Sequence, residues 1–228
     1  MIKRGKALPI PLKLGAVTAV AGAIVLMVGT MLHPLGADPG DPVAAFTEYA
    51  ADDFWVGSHL SQFLGVALMF VGLVALNDSL KDEPYAWLAN LGVFVGVAAL
   101  ATTAVLQAVD GIALKFMVDD WASASEERKE SVFQAALAVR QIETGVASFM
   151  ALLFGSSLVL FASAVALSTN YPTWLGWLGI GGGIGTIAGG LSVAFTGFSM
   201  TAMNVAMPFN LILVIWMVLI GILMWRRV

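Results

Sequence analysis

The chain has 228 residues, of which 59% are hydrophobic and 11% charged, and its mean hydropathy is +0.90. Soluble domains carry about 45–50% apolar and about 25% charged residues, so this composition excludes an ordinary soluble domain and predicts a protein embedded in a lipid bilayer. The net charge of −4, without a basic cluster, excludes a nucleic-acid partner, and the lack of cysteine excludes disulfides and thiolate metal ligands.

Six stretches are long and apolar enough to cross a bilayer, which requires about 20 mostly apolar residues. We expect an all-α integral membrane protein, a six-helix transmembrane bundle in a single domain of residues 1–228, with both termini on the same side. The predicted spans are residues 14–32, 60–76, 87–109, 144–167, 174–195 and 207–225. The first apolar run exceeds the roughly 7–15 residues of a signal peptide, so we expect it to remain as a helix.

Two connections between the spans are longer than turns, at residues 33–58 and 111–143. The first is rich in Pro, Gly and Asp, then becomes compatible with a helix over residues 43–49, and could form a lid over the bundle. In the second, Ser123 and Glu126 have the spacing of a capping box, which predicts a helix that begins near Ala124. Continued to Leu167, this helix would hold 44 residues and extend about 66 Å.

The basic residues indicate the orientation of the bundle. Seven lie on the side of the termini and four on the other, which favours cytoplasmic termini in the cell membrane. The seven are Lys3, Arg4, Lys6, Lys13, Lys81, Arg226 and Arg227. Tryptophans near the predicted span ends are expected to anchor the helices at the membrane interface, namely Trp55, Trp87, Trp174, Trp177 and Trp225.

A set of polar residues recurs at the same, outward-facing end of several predicted spans. Ionisable groups are costly near hydrocarbon, and residues three apart lie on one face of a helix, so the pattern predicts a pocket that binds a small ligand or cofactor. We call this set the polar layer: His33, His59, Gln62, Gln107, Asp110, Arg140 and Glu143.

The sequence leaves several interpretations of the polar layer open. The imidazoles of His33 and His59 could ligate a b-type haem or a transition metal, and Arg140 favours an anionic group over a bare cation. A small transporter is an alternative, with Pro208 and Asn210 interrupting the sixth span, although the other half of the bundle lacks buried charge. A membrane hydrolase is the least favoured, and an enzyme is not expected.

The remaining interpretation is an accessory or structural subunit of a membrane complex. In that case the polar layer binds no ligand and consists of ion pairs at helix ends, Asp110 with Lys115 and Arg140 with Glu143.

The fifth span is rich in glycine, with Gly181, Gly185 and Gly189 four residues apart. Small residues at this spacing let a neighbouring helix approach closely. Tight packing inside the bundle is the favoured interpretation, and pairing with a membrane protein or with a second copy of the chain is the alternative.

Four short motifs carry a resemblance to a protein family. They are HPLGAD at residues 33–38, WVGSHLSQF at 55–63, VDGIALK at 109–115 and AVRQIE at 138–143. The chain resembles uncharacterised bacterial and archaeal multi-pass membrane proteins. The resemblance implies a six-span membrane protein, and it implies no substrate and no catalytic residue.

Overall fold

The computed structural model describes residues 10–228, and this part of the chain is helical without strands. The elements in order are α1 (Leu12–Leu32), α2 (Pro42–Ala50), α3 (Trp55–Ser79), α4 (Ala86–Ala108), a π-helical turn (Val109–Leu114), α5 (Lys115–Ser123), α6 (Glu126–Leu167), α7 (Thr173–Thr196) and α8 (Met200–Arg226).

Six helices are long and apolar enough to cross a membrane: α1, α3, α6, α7, α8 and the continuous helix Ala86–Ser123 formed by α4, the π-helical turn and α5. The predicted all-α, six-span fold is therefore confirmed, and an even number of spans places both termini on the same side. Which side that is stays a prediction. Three of the basic residues that support it, Lys3, Arg4 and Lys6, lie outside the described residues.

Two details of the second long connection differ from the prediction. The helix that contains the third span does not stop near residue 109 but continues through the π-helical turn to Ser123, and where the span leaves the membrane stays a prediction. The capping box is also wrong: Ser123 Oγ donates to the carbonyl of Asp119 at 2.9 Å in the last turn of α5, and α6 begins after Ser125. With 42 residues, α6 is about 63 Å long and extends beyond a hydrocarbon core of about 30 Å.

The eighth helix also differs from expectation. Pro208 lies inside α8 without ending it, so Pro208 and Asn210 do not interrupt the last span. A continuous helix satisfies most of its backbone groups internally, as hydrocarbon requires.

Glycines set the spacing between α1 and α3. A Cβ added to Gly22 would lie 2.6 Å from the carbonyl oxygen of Gly65, and one added to Gly65 would lie 2.5 Å from the amide nitrogen of Leu26. Near one end of the pair Gly15 faces Ala75, and near the other Gly29 faces Ser61. The two helices are thus in backbone contact along most of their length, in antiparallel register.

The glycine-rich face of α7 packs inside the bundle. Gly183 approaches the backbone of Gly155 on α6, while Gly185 and Gly189 lie against Phe209 and Ala206 on α8. Gly181 alone of the three predicted glycines has no described neighbour within 4 Å of an added Cβ. The small residues are therefore used within the chain, which supports the intramolecular interpretation over pairing with another protein.

The buried apolar residues form two separate clusters. The larger one lies among the spans and includes Met69, Phe161 and Trp216. The smaller one joins α2 to the π-helical turn, α5 and α6, and we call it the cap cluster: Ala45, Phe46, Tyr49, Trp55, Leu114, Val118 and Ala136. Along α3, the helix Ala86–Ser123 and α6, the residues of the polar layer fall between members of the two clusters.

Substitution of Gly65 by Ala tests the contact between α1 and α3. We expect Gly65→Ala to lower the free energy of unfolding in detergent by about 1–3 kcal/mol, because the added methyl group meets backbone atoms that cannot move independently.

The matched control is Gly57→Ala on the same helix, where an added Cβ meets no described neighbour within 4 Å. This change should leave stability unchanged or raise it by up to about 1 kcal/mol, through helix propensity. Equal effects of the two substitutions, measured by thermal or SDS unfolding, would contradict the packing described.

Candidate functional site

Three residues of the polar layer come together in one cluster. His33 follows α1, His59 lies in the second turn of α3, and Asp110 lies in the π-helical turn. One ligand atom from each lies within 4.8 Å of the other two. The tightest contact joins His59 Nε2 to Asp110 Oδ2 at 3.0 Å, and the ring centroids of the two histidines are 5.1 Å apart.

The helix packing explains why these residues meet. The antiparallel register that places Gly29 against Ser61 brings the end of α1, and so His33, to the level of His59. On the other side Gly111 lies directly against His59, and a Cβ added there would be 2.5 Å from the Cβ of His59. The π-helical turn inserts an extra residue at this point, a distortion that is frequent at functional sites.

The hydrogen bonds of the two histidines determine which ring nitrogen carries a proton. His33 Nδ1 lies 2.7 Å from the carbonyl oxygen of Pro34, and His59 Nδ1 lies 2.7 Å from that of Trp55. A carbonyl oxygen only accepts, so each Nδ1 donates and each neutral ring keeps its lone pair on Nε2. Burial lowers the pKa of His33, as does the His59 imidazole, while Asp110 and Asp52 act in the opposite direction.

The same assignment of protons means that His59 and Asp110 face each other through two acceptor atoms. A neutral His59 with its proton on Nδ1 offers only an acceptor at Nε2, and the carboxylate of Asp110 is also an acceptor. Two acceptors 3.0 Å apart require a cation between them, which can be a proton or a metal ion.

Trp55 holds this cluster from one side and was not expected to do so. It is only 1% exposed, donates from Nε1 to the carbonyl of Asp110 at 3.0 Å, and packs 4.7 and 4.6 Å from the ring centroids of His33 and His59. The prediction that Trp55 anchors the membrane interface is therefore wrong. Its position one helical turn before His59 is a signal in the sequence that could have indicated this role.

Arg140 and Glu143 form a second group in the polar layer. Arg140 Nη1 lies 3.6 Å from Glu143 Oε2, which confirms the predicted ion pair, and Arg140 Nη2 donates to the carbonyl of Pro39 at 3.3 Å. The guanidinium also lies 5.4 Å from the ring centroid of Tyr49 and 5.0 Å from that of Phe198. Arg140 lies on α6 and contacts two other parts of the chain. They are the connection between α1 and α3, and the residues before α8.

Gln62 and Gln107 form the third group. Gln107 Nε2 donates to Gln62 Oε1 at 3.3 Å and links α3 to α4. Among the described residues, three buried side-chain atoms have no hydrogen-bond partner: Asp52 Oδ2, Gln107 Oε1 and Glu143 Oε2. All three are oxygen atoms, and no described donor lies within hydrogen-bond distance of any of them.

Lys115 connects the helix Ala86–Ser123 to α2. We call α2 the lid. Its Nζ donates to the carbonyls of Tyr49 and Ala50 at 3.0 and 3.1 Å and pairs with Asp119 at 2.9 Å. The predicted ion pair between Asp110 and Lys115 is therefore wrong, because Asp110 faces His59 instead. The sequence did not indicate this role of Lys115, since its partners are backbone carbonyls more than 60 residues away.

A double-mutant cycle tests the contact of His59 with Asp110. In the presence of EDTA, His59→Ala and Asp110→Ala should show a coupling energy of about 1 kcal/mol or more, because the pair is buried and each partner alone leaves an unsatisfied group. The exposed pair of Lys81 with Asp78, at 3.6 Å, serves as the control and should couple by less than about 0.5 kcal/mol. Additive effects of His59→Ala and Asp110→Ala would contradict the assigned contact.

Hydrogen exchange tests the attachment of the lid. Lys115→Met should speed amide exchange in residues 42–50 by about ten-fold, because hydrogen bonds from a charged donor contribute about 1.5–3 kcal/mol. Lys129→Met is the matched control, since Lys129 Nζ donates to the carbonyl of Ala122 and not to the lid. Unchanged exchange in the Lys115 variant would show that the cap cluster alone holds the lid.

Comparison with known proteins gives a family and no activity. Neither the curated proteins nor the solved structures that were compared match the chain. The family described as "Domain of unknown function (DUF4386)" matches residues 14–221, from the first span into the last. This range includes the whole polar layer, the lid and the cap cluster. The chain therefore belongs to the DUF4386 family, and no catalytic residue or ligand is carried over from it.

Proposed function

We propose that this membrane protein binds one divalent transition-metal ion, of the Zn²⁺ type, through His33, His59 and Asp110. The observation that carries the proposal is that two imidazoles, each with Nδ1 engaged by a backbone carbonyl, cluster with a carboxylate, with one ligand atom from each residue within 4.8 Å of the other two. Metal-ligating histidines almost always donate their other ring N–H to such a partner, which orients the ring.

The ligand set supports this class of metal. Two imidazoles and one carboxylate suit zinc and its neighbours, whereas Ca²⁺ and Mg²⁺ prefer oxygen ligands alone. Three protein ligands leave a fourth position of a tetrahedral ion open, an arrangement that is typical of zinc sites that bind water or substrate. The site would therefore bind a ligand through the metal.

The surrounding charges are compatible with a cation. Arg140 is the basic residue of the polar layer, and its guanidinium is engaged by Glu143 and by the rings of Tyr49 and Phe198. The carboxylate of Asp110 and the unpartnered oxygens Asp52 Oδ2 and Gln107 Oε1 contribute negative charge or potential around the cluster. A divalent ion would compensate this negative charge, so the positive charge of Arg140 does not exclude a cation from the site.

The haem alternative fits this geometry less well. In a haem with two histidine ligands, the imidazoles stand on opposite faces of the porphyrin, which spreads between them. Here the indole of Trp55 packs against both imidazoles, with centroid distances of 4.7 and 4.6 Å. A porphyrin would have to displace Trp55 from a position where it is 1% exposed.

The location of the site in the cell is also part of the proposal. The distribution of basic residues supports the cell membrane with both termini in the cytoplasm, so the metal would lie at the outer side under the lid. The transporter alternative has less support because α8 is uninterrupted. A structural subunit, in which His59 and Asp110 merely join two helices through a proton, is the main alternative.

Metal titration of the purified, tag-free protein tests the proposal. After treatment with EDTA and its removal, we expect one Zn²⁺ or Co²⁺ per chain by calorimetry and elemental analysis. His33→Ala, His59→Ala and Asp110→Ala should each weaken binding by about ten-fold or more, since even loss of a group that only orients a ligand costs about 10–100-fold.

The control is Asp120→Asn, a change at an exposed carboxylate on the same continuous helix as Asp110. It should bind the metal as tightly as the unaltered protein does. Absence of stoichiometric binding, or binding that survives all three ligand substitutions, would favour the structural subunit instead.

A further inference from the structure

Two unpartnered acceptors of the polar layer point to what the metal would bind. Glu143 is 4% exposed and Gln107 is 9% exposed, and neither Glu143 Oε2 nor Gln107 Oε1 receives a hydrogen bond from the described residues. A buried acceptor without a donor costs about 1–3 kcal/mol. Two of them in one layer therefore indicate an occupant that donates hydrogen bonds.

The register of α4 and α6 places both acceptors beside the metal ligands. These helices are antiparallel, with Gly92 against Phe161 and Gly96 against Ser157. Continuing this register along both helices brings Asp110 level with Glu143. Gln107 lies three residues before Asp110 and thus on the same face.

The orientations of the two side chains are held by other contacts. Gln107 uses its Nε2 to donate to Gln62, which leaves its Oε1 as the free end of the amide. Arg140 forms an ion pair with Glu143 but gives it no hydrogen bond, because Nη1 lies 3.6 Å from Glu143 Oε2 and Nη2 donates to the carbonyl of Pro39. Both acceptors are therefore available to a third group.

We propose, building on the metal site above, that the open metal position takes an oxygen ligand bearing a hydroxyl group, which donates two hydrogens, one to Glu143 and one to Gln107. Water and a neutral hydroxamic acid belong to this class. The metal binds an oxygen lone pair, and each of the two acceptors binds one hydrogen. An ammonium group is disfavoured because the metal and Arg140 are also positively charged. A carboxylate is disfavoured because its oxygens are acceptors and would face the acceptors Glu143 and Gln107.

Two small probes of similar size distinguish these ligand classes. Acetohydroxamate, supplied at a pH where it is the neutral hydroxamic acid, has a hydroxyl and an amide N–H to donate, whereas acetate only accepts. Each would be titrated into the Co²⁺-loaded protein while the visible absorption of the cobalt is recorded, with metal content measured afterwards. We expect the unaltered protein to bind acetohydroxamate more tightly than acetate.

Glu143→Gln should reverse this preference. The variant replaces the acceptor oxygen with an amide that can donate, so acetohydroxamate should bind about ten-fold or more weakly and acetate more tightly. A merely structural role of Glu143 would change the affinity for both probes in the same direction. The matched control is Glu127→Gln, an exposed carboxylate on the same helix, which should leave both affinities unchanged.

The outcomes separate this inference from the metal proposal. If the unaltered protein binds no Co²⁺, both fail. If it binds Co²⁺ but Glu143→Gln leaves the preference unaltered, the metal site stands and the hydroxyl site is wrong. Should that variant not fold, Gln107→Leu carries the test, because it removes the other acceptor and should weaken acetohydroxamate alone.

Discussion

The contact between His59 and Asp110 is the constraint on which the polar end of the bundle depends. Because His59 donates from Nδ1 to the backbone of its own helix, its Nε2 faces the carboxylate as a second acceptor. The pair needs a cation between its two acceptor atoms, either a proton or a metal ion. His33 completes a three-residue set, and Trp55 holds both imidazoles and the backbone of Asp110 in place.

The polar layer is tolerated because apolar residues enclose it from two directions. The larger core lies among the spans, and the cap cluster covers the layer with the lid. Lys115 attaches the lid through the backbone carbonyls of Tyr49 and Ala50, and Arg140 binds the carbonyl of Pro39 just before the lid. Low local polarity strengthens the electrostatic contacts inside the layer, and it also makes each unpartnered acceptor more costly. The same enclosure that favours a bound cation therefore favours a ligand that donates hydrogen bonds.

The prediction from sequence was accurate where long-range contacts do not decide the outcome. The number of spans follows from hydropathy, and six spanning helices are present. The candidate residues were chosen from the cost of placing polar groups near hydrocarbon, and their role stays a prediction. The prediction from sequence failed at Ser123, where the capping spacing was present but the hydroxyl bonds to α5 instead. It also failed at Trp55, since position near a span end does not reveal whether an indole faces lipid or the lid. The structural-subunit interpretation paired Asp110 with Lys115, which is close in sequence, whereas the partner of Asp110 is His59, 51 residues away.

The sequence by itself therefore determined the class of protein, the six apolar helices and the seven residues in which a site was to be sought. Only the tertiary structure decided which of the seven meet: His33 with His59 and Asp110, Gln62 with Gln107, and Arg140 with Glu143. The physical reason is that hydropathy and helical periodicity depend on residues within a few turns of one helix. The partners of a polar side chain depend on the register between helices, which here is set by backbone contacts at Gly22 and Gly65 and by the contact of Gly111 with the His59 side chain.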